Sequence, residues 1–434
     1  MLKTLHNIWH SKELRNRILF TIGMVALYRL MTHITIPGVD REALAFVFEK
    51  NSLLGAFSML TGGSAENFSI VLMGLSPYIN ASIIIQLLTV IVPRMEELSK
   101  EGEYGRKTLN RWTRWLALPL AFVQSYGMIS LINAQAQVPI IANIDQWSVI
   151  LPIMLTISVG TIVLMWIGEV ISEKGIGNGI SILIFAGIIG GIPPLLGPSL
   201  ALAQNDASRL IPMVAVLLLT LILTLFVVLF TEGQRRIPIT YAGRESQGKH
   251  EQSFLPIRVN QAGMIPIIFA VSLVTFPSLI GQFLLYADSE WVKAIGRLAT
   301  TQFNQNSWAY LVVYFLLIIA FTYFYVSITF NPEQVAENIQ KRGGFVTGIR
   351  PGRETAEYLQ KVSNRLNFFG GIMIAVLAVL PMVIQNLFQT FGVASVPLFV
   401  GGAGIIIVVG VVLDLVRRIN AQLLVHHYDR FYKG

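Results

Sequence analysis

The chain has 434 residues, 54% of them apolar and 13% charged, with a mean hydropathy of +0.63. A soluble protein of this size carries about twice that charged fraction, so a large soluble enzyme is excluded. Cysteine is absent, which removes disulfides, thiol nucleophiles and cysteine metal sites, and the net charge of +8 must sit mainly outside the apolar stretches.

Residues 1–17 alternate apolar and basic positions and lack the apolar core and small-residue cleavage site of a signal peptide. They are expected to form a cytoplasmic amphipathic segment on the membrane surface. Ten apolar segments follow, at 18–34, 68–92, 116–133, 148–170, 178–198, 210–230, 262–286, 307–330, 367–390 and 397–416. Each is near the length of about 20 residues that spans a bilayer. Tyrosines aside, their ionisable residues are Arg29, His33, Glu169 and Asp414, and the last three lie in the final turn of their segments. The chain therefore offers at most Arg29 as a midplane charge for a coupling ion.

Between the first two segments, 51–67 contains the apolar, glycine-bounded piece Asn51-Ser-Leu-Leu-Gly55-Ala-Phe-Ser-Met-Leu60-Thr-Gly-Gly63. It is too short to span and reads as a re-entrant segment, which is tolerated only in protein or beside a water cavity. Gly74-Leu-Ser-Pro77 in the second segment is echoed by Gly263-Met-Ile-Pro266 in the seventh. A Gly-x-x-Pro inside a span is expected to loosen or kink the helix there. These positions are equivalent if the chain divides into five segments and five, 18–198 and 199–416. An odd number per half makes the second half enter from the opposite side, an inverted repeat.

Enzyme signals fail one by one. There is no HExxH, and the six histidines are scattered over loops and ends. Gly74-Leu-Ser76 has no partner histidine in any span, and Gly175-Ile-Gly177-Asn-Gly179 follows no strand and ends in no lysine. The latter reads as a tight turn with Asn178 capping the fifth span. No metal site and no cofactor is expected. Leucine and isoleucine at helical spacing, Leu75 and Ile79, Ile180 and Ile184, and Ile268 on the Gly-x-x-Pro spans, fit helix packing, lipid contact or a stiff apolar constriction.

Two loops are long enough to bind something, although a solvated basic loop is the default for each. In 231–260, two extended apolar runs, 235–241 and 254–259, flank a polar tip and predict a hairpin. In 331–366, Asn331-Pro332-Glu333 starts a helix, Gly343-Gly344 stops it, and a second helix begins near Glu354. The N-terminus, the loops after even-numbered spans and the tail 417–434 hold 26 of the 32 lysines and arginines, which predicts that both termini are cytoplasmic.

Taken together, Pro77-Tyr-Ile-Asn-Ala-Ser-Ile-Ile-Ile-Gln-Leu-Leu88, Glu173-Lys-Gly-Ile-Gly-Asn-Gly-Ile-Ser181, Gly233-Gln-Arg-Arg236, Asn260-Gln-Ala-Gly-Met-Ile-Pro266 and Gly348-Ile-Arg-Pro-Gly352 resemble the SecY/Sec61-alpha family of protein-conducting channels, over essentially the whole chain. The resemblance implies an all-α polytopic membrane protein of ten transmembrane helices, in two inverted five-helix halves around a central pore. It implies a pore ring at Leu75, Ile79, Ile180, Ile184, Ile268 and Ile407, and a plug including Gly55, Phe57, Met59, Leu60, Gly62 and Gly63. A lateral gate would run along Asn80, Gln124, Phe276 and Ile280. Arg235, Arg236, Arg244, Lys249 and Arg350 would dock the SecA ATPase motor or the ribosome, although the tip 244–250 is less basic than is usual in the family. Other implied partners are the small subunits SecE and SecG, signal-peptide-bearing polypeptides and membrane lipid. The implied setting is the bacterial plasma membrane, and the implied activity is translocation and lateral release of polypeptides, without catalysis. The competing expectation is an inverted-repeat secondary transporter of small solutes, which needs ion-coordinating groups at the midplane.

Overall fold

The computed structural model describes residues 11–50, 58, 61–136, 139–141, 146–205, 207–241, 253–285, 287, 289–304, 307–390 and 401–433. Each of the ten apolar segments contributes described residues to a helix. These are α1 (Lys12–His33), α3 (Ser76–Ile91), α5 (Glu103–Gln135), α6 (Trp147–Lys174), α7 (Gly179–Asn205), α8 (Ala207–Glu232), α9 (Ile265–Leu284), α11 (Trp308–Thr329), α13 (Arg353–Thr390) and α14 (Gly402–Lys433). Four shorter helices lie between them: α2 (Arg41–Lys50), α4 (Pro93–Lys100), α10 (Glu290–Gln302) and α12 (Pro332–Lys341). By length and composition alone, five described helices can cross a membrane, and α3 with α4, bent by 103°, makes a sixth. The fold is all-α and polytopic, with one small sheet. Trp147 and Trp308 are exposed at the first residues of α6 and α11, as interfacial tryptophans are.

Backbone proximity divides the chain into two compact units. One contains Met1–Ala207, Thr275–Ser307 and Val411–Gly434; the other contains Ser208–Val274 and Trp308–Gly410. Helix α9 thus gives its first half to the second unit and its second half, from Thr275, to the first. Pro277 interrupts α9 near that boundary, where it cannot donate to the carbonyl of Leu273.

In the first unit α1 packs on α6 and α7, α3 packs along α5, and α6 packs on both α5 and α7. Glycines allow the close approaches. A side chain at Gly160 would strike the backbone of Ile70, and one at Gly179 would strike the carbonyl of Gly168. Ile36, Leu44, Phe68, Leu72, Ile129, Ile132 and Ile157 share one buried core. The chain beside it is held by Asn133, whose Oδ1 accepts from the amides of Ile140 at 2.8 Å and Ile141 at 3.2 Å.

The second unit joins two loops that the sequence presents separately. β1 (Gln234–Tyr241) pairs antiparallel with β2 (Ser253–Arg258) on one side. On its other side it pairs with β3 (Gly344–Val346), which comes from the loop 331–366. Alternation along β1 buries Ile237 and Ile239 and exposes Arg236, Pro238 and Thr240. Ile237, Ile257, Ala336, Val346, Leu359 and Val362 form the core that binds this sheet to α12 and the start of α13. Asn331 caps α12 by accepting from the amide of Gln334 at 3.1 Å. The expected helix stop at Gly343-Gly344 is present, and Gly343 takes φ +70°. The strand that follows it was not expected.

Three expectations change. Residues 61–75 form a buried run of turns, so the second apolar segment becomes helical only from Ser76. The loop expected around 199–209 is nearly absent, because α7 runs to Asn205 and α8 begins at Ala207. The intervening Leu-Ala-Leu-Ala-Gln favours helix. Lys12 to Arg17 belong to α1, and residues 1–10 of the expected surface segment lie outside the described residues.

Candidate functional site

The site begins where α3 and α9 begin. Gly74 takes φ +53°, its amide donates to the carbonyl of Val71 at 2.8 Å, and α3 starts two residues later with Pro77 in its first turn. Gly263 takes φ +68°, its amide donates to Oδ1 of Asn260 at 2.8 Å, and α9 starts two residues later with Pro266 in its first turn. A Gly-x-x-Pro was expected to kink a span from within. In both cases it starts the helix. Glycine supplies the left-handed residue that turns the chain, and proline fixes the first helical φ where no intrahelical donor is needed.

These starts set the residues expected in the ring. Leu75 is the residue just before α3 and Ile79 follows one turn on, with its amide donating to the Leu75 carbonyl at 3.0 Å. Leu75 is buried and Ile79 half-buried. Asn178 Oδ1 caps α7 by accepting from the amides of Ile180 at 3.1 Å and Ser181 at 3.4 Å, as the sequence predicts. Ile180 is half-buried against Gly168, and Ile184 one turn on is buried. Ile268 on α9 is half-buried and Ile407 on α14 is buried; both belong to the second unit. There Met264, one turn before Ile268, lies close enough to Gly410 that an added Cβ would meet it at 3.6 Å.

Of the expected gate residues, Asn80 is buried on α3 and Gln124 half-buried on the adjacent α5. Asn80 Oδ1 and Gln124 Oε1 are both buried without a hydrogen-bond partner. Such orphaned acceptors are uncommon and call for an occupant or a function. Phe276 is half-buried and Ile280 exposed, on the half of α9 in the first unit, where Ser278 Oγ is a third buried, unpartnered polar atom. Of the expected plug, Gly62 is buried and Gly63 half-buried, whereas Gly55, Phe57, Met59 and Leu60 lie outside the described residues.

Arg235 and Arg236 are exposed on β1, and Arg350 is exposed on the turn before α13, with Nη1 4.0 Å from Glu354. Pairing of β1 with β3 brings the hairpin and the second loop into one surface module. Arg244 and Lys249 lie outside the described residues.

The ionisable residues of the spans are accounted for. Glu169 pairs with Arg114 at 2.9 Å, Asp414 pairs with Arg418 at 2.8 Å, and His33 is exposed at the end of α1. Arg29 donates to two backbone carbonyls, those of Gly62 and Gly190. Sequence reasoning gave it no role beyond that of an isolated charge. The signal was there, since an unpaired arginine inside a span needs acceptors, but the acceptors are main-chain atoms that no side-chain motif reports.

The SecY family model matches residues 69–416. The chain is 40% identical to the protein translocase subunit SecY of Corynebacterium glutamicum, covering 97% of this chain and 98% of that one. It is 40% identical to the SecY subunit of Streptomyces scabiei over 100% of both chains. It is 39% identical to that of Staphylococcus aureus over 99% of both. Among solved structures, a protein-conducting channel superposes with a TM-score of 0.68 at 18% identity, over 94% of this chain and 92% of that one. Sec61 in the canine ribosome-channel complex superposes at 0.64 with 18% identity, over the same shares. The turn-then-helix starts, the apolar residues they set and the full-length similarity agree: the chain belongs to the SecY family.

Proposed function

We propose that this chain is the protein-conducting subunit of a bacterial translocase, passing unfolded polypeptides across the plasma membrane and releasing apolar segments sideways into lipid. The carrying observation is the end-to-end identity of about two residues in five to translocase subunits. The residues assigned to the constriction, Leu75, Ile79, Ile180, Ile184, Ile268 and Ile407, offer a passing chain no hydrogen-bonding group. Such a lining resists ion flow by dewetting and accepts any sequence. The unpartnered amide oxygens of Asn80 and Gln124 support a gate role, because an open gate gives them water or the backbone amides of a passing segment. A segment leaves for lipid when its apolar residues, at about 0.5 kcal/mol each, outweigh a central charge that costs about 2.5–3.5 kcal/mol.

Energy comes from partners. The module carrying Arg235, Arg236 and Arg350 is the docking surface we assign to the SecA motor or the ribosome, with SecE and SecG as membrane partners. The asymmetry of lysine and arginine supports cytoplasmic termini. The chain itself is not an enzyme in this reading. The transporter alternative draws no support, since Arg29 already binds two main-chain carbonyls.

Reconstituted with its partners, the Ile79→Ser and Ile184→Ser variants are expected to raise resting ion conductance and to export chains with weakened signal sequences. An unchanged conductance would count against the ring. Arg350→Glu is expected to abolish motor-driven translocation while leaving thermal stability intact, and normal export would remove the docking role.

A further inference from the structure

Arg29 sits about one turn before the end of α1, inside an apolar segment where an unsatisfied charge is costly. Its guanidinium divides its donors between two separate pieces of chain. Nη1 donates to the carbonyl of Gly62 at 2.7 Å, and Nη2 donates to the carbonyl of Gly190 on α7 at 3.1 Å. The adjacent Tyr28 hydroxyl donates to the carbonyl of Thr61 at 3.0 Å. The turn closes on Ser58, whose carbonyl accepts from the amide of Gly63 at 2.8 Å and from Thr61 Oγ1 at 3.2 Å.

The glycines around Arg29 leave room for this arrangement. Gly62 takes φ +72°, and a Cβ there would lie 2.8 Å from both Gly187 Cα and the Tyr28 hydroxyl oxygen. A Cβ at Gly190 would collide with the guanidinium. Helix α7 therefore presents Gly187 and Gly190, nearly one turn apart, as a slot for the turn and the arginine together. A planar fork can bridge two acceptors in this way, whereas a lysine ammonium is a single point.

We propose that Arg29 is a positioning residue of the resting channel: its guanidinium clamps the Thr61–Gly63 turn to α7, and this clamp holds the pore sealed and sets how strong a signal must be to open it. The inference rests on the channel reading. Gly62 and Gly63 are the described part of the segment expected as the plug.

The chain has no native cysteine, so Ser58→Cys introduces a unique thiol at a buried hydroxyl that has no hydrogen-bond partner. The full-length chain with its membrane partners is reconstituted in anionic liposomes. Maleimide labelling of Ser58→Cys is compared with and without Arg29→Gln, and resting ion conductance is compared with and without Arg29→Gln in the cysteine-free background. The clamp predicts that both rise about tenfold, the shift that loss of one charge-assisted hydrogen bond gives a two-state ratio. Arg29→Lys is expected to give an intermediate value and Tyr28→Phe a smaller rise.

Gly190→Ala keeps Arg29 but displaces its guanidinium, so it is expected to reproduce both effects, and it decides the matter if Arg29→Gln fails to accumulate in membranes. Unchanged labelling in Arg29→Gln and Gly190→Ala overturns the clamp. Raised labelling with unchanged conductance, in a preparation where Ile79→Ser does leak, overturns its sealing role while the channel reading stands. If Ile79→Ser does not leak either, it is the channel reading that fails.

Discussion

Helices α3 and α9 begin with the same device in different surroundings. Both have a glycine at positive φ, a helix two residues later and a proline in the first turn. At α3 the glycine is enclosed, and a Cβ on Gly74 would meet Thr61 Cγ2 at 3.2 Å. No side chain caps that helix. At α9 the glycine is open, since a Cβ on Gly263 would meet nothing within 4 Å, and the turn is held by Asn260. One start is therefore fixed by the buried turn packed on it, and the other by a local hydrogen bond. The shared geometry adds a structural likeness to the four-residue sequence echo. The difference shows how one local device takes different support in different surroundings.

Substitution can break the comparison, read by thermal unfolding of the purified protein in detergent. The largest effect is expected for Gly74→Val, at about 3–4 kcal/mol, because strain at positive φ and crowding against Thr61 add. Gly263→Val suffers only the strain and should lose about half as much. Equal losses would erase the distinction between enclosed and open starts. Next, Thr61→Ala is expected to return about 1 kcal/mol to Gly74→Ala and nothing to Gly263→Ala, a coupling that a double-mutant cycle measures directly. Asn260→Ala should cost about 1 kcal/mol through loss of the Gly263 contact, with no equivalent at α3. The smallest and most nearly equal effects are expected for Pro77→Ala and Pro266→Ala, at about 0.4–1 kcal/mol each, since proline there mainly restricts the unfolded chain. A much larger loss at either proline would mean that it kinks a continuous helix after all.

Much of the molecule was legible in the sequence because bilayer physics is local. A stretch of about 20 apolar residues becomes a helix wherever it sits, since its backbone must satisfy itself. Caps read equally well: Asn178 and Asn331 each accept from the amides expected of a cap. The Gly-x-x-Pro was located correctly and misread as a kink. Nothing in those four residues says whether the chain before them is helix or turn; that depends on the core formed by Phe68, Leu72, Ile129 and Ile157.

Composition and periodicity alone determined a polytopic helical membrane protein and its ten apolar segments, because each follows from what a residue and its near neighbours can do in lipid or water. Tertiary structure decided what depends on distant partners. It joined the hairpin to β3, more than a hundred residues away by the Ile239–Val346 pairing, making two loops one module. It also placed two carbonyls, from Gly62 and Gly190, around the guanidinium of Arg29. Main-chain groups are the same at every residue, so a sequence can reveal that a buried charge needs acceptors, and only the fold can reveal which ones it finds.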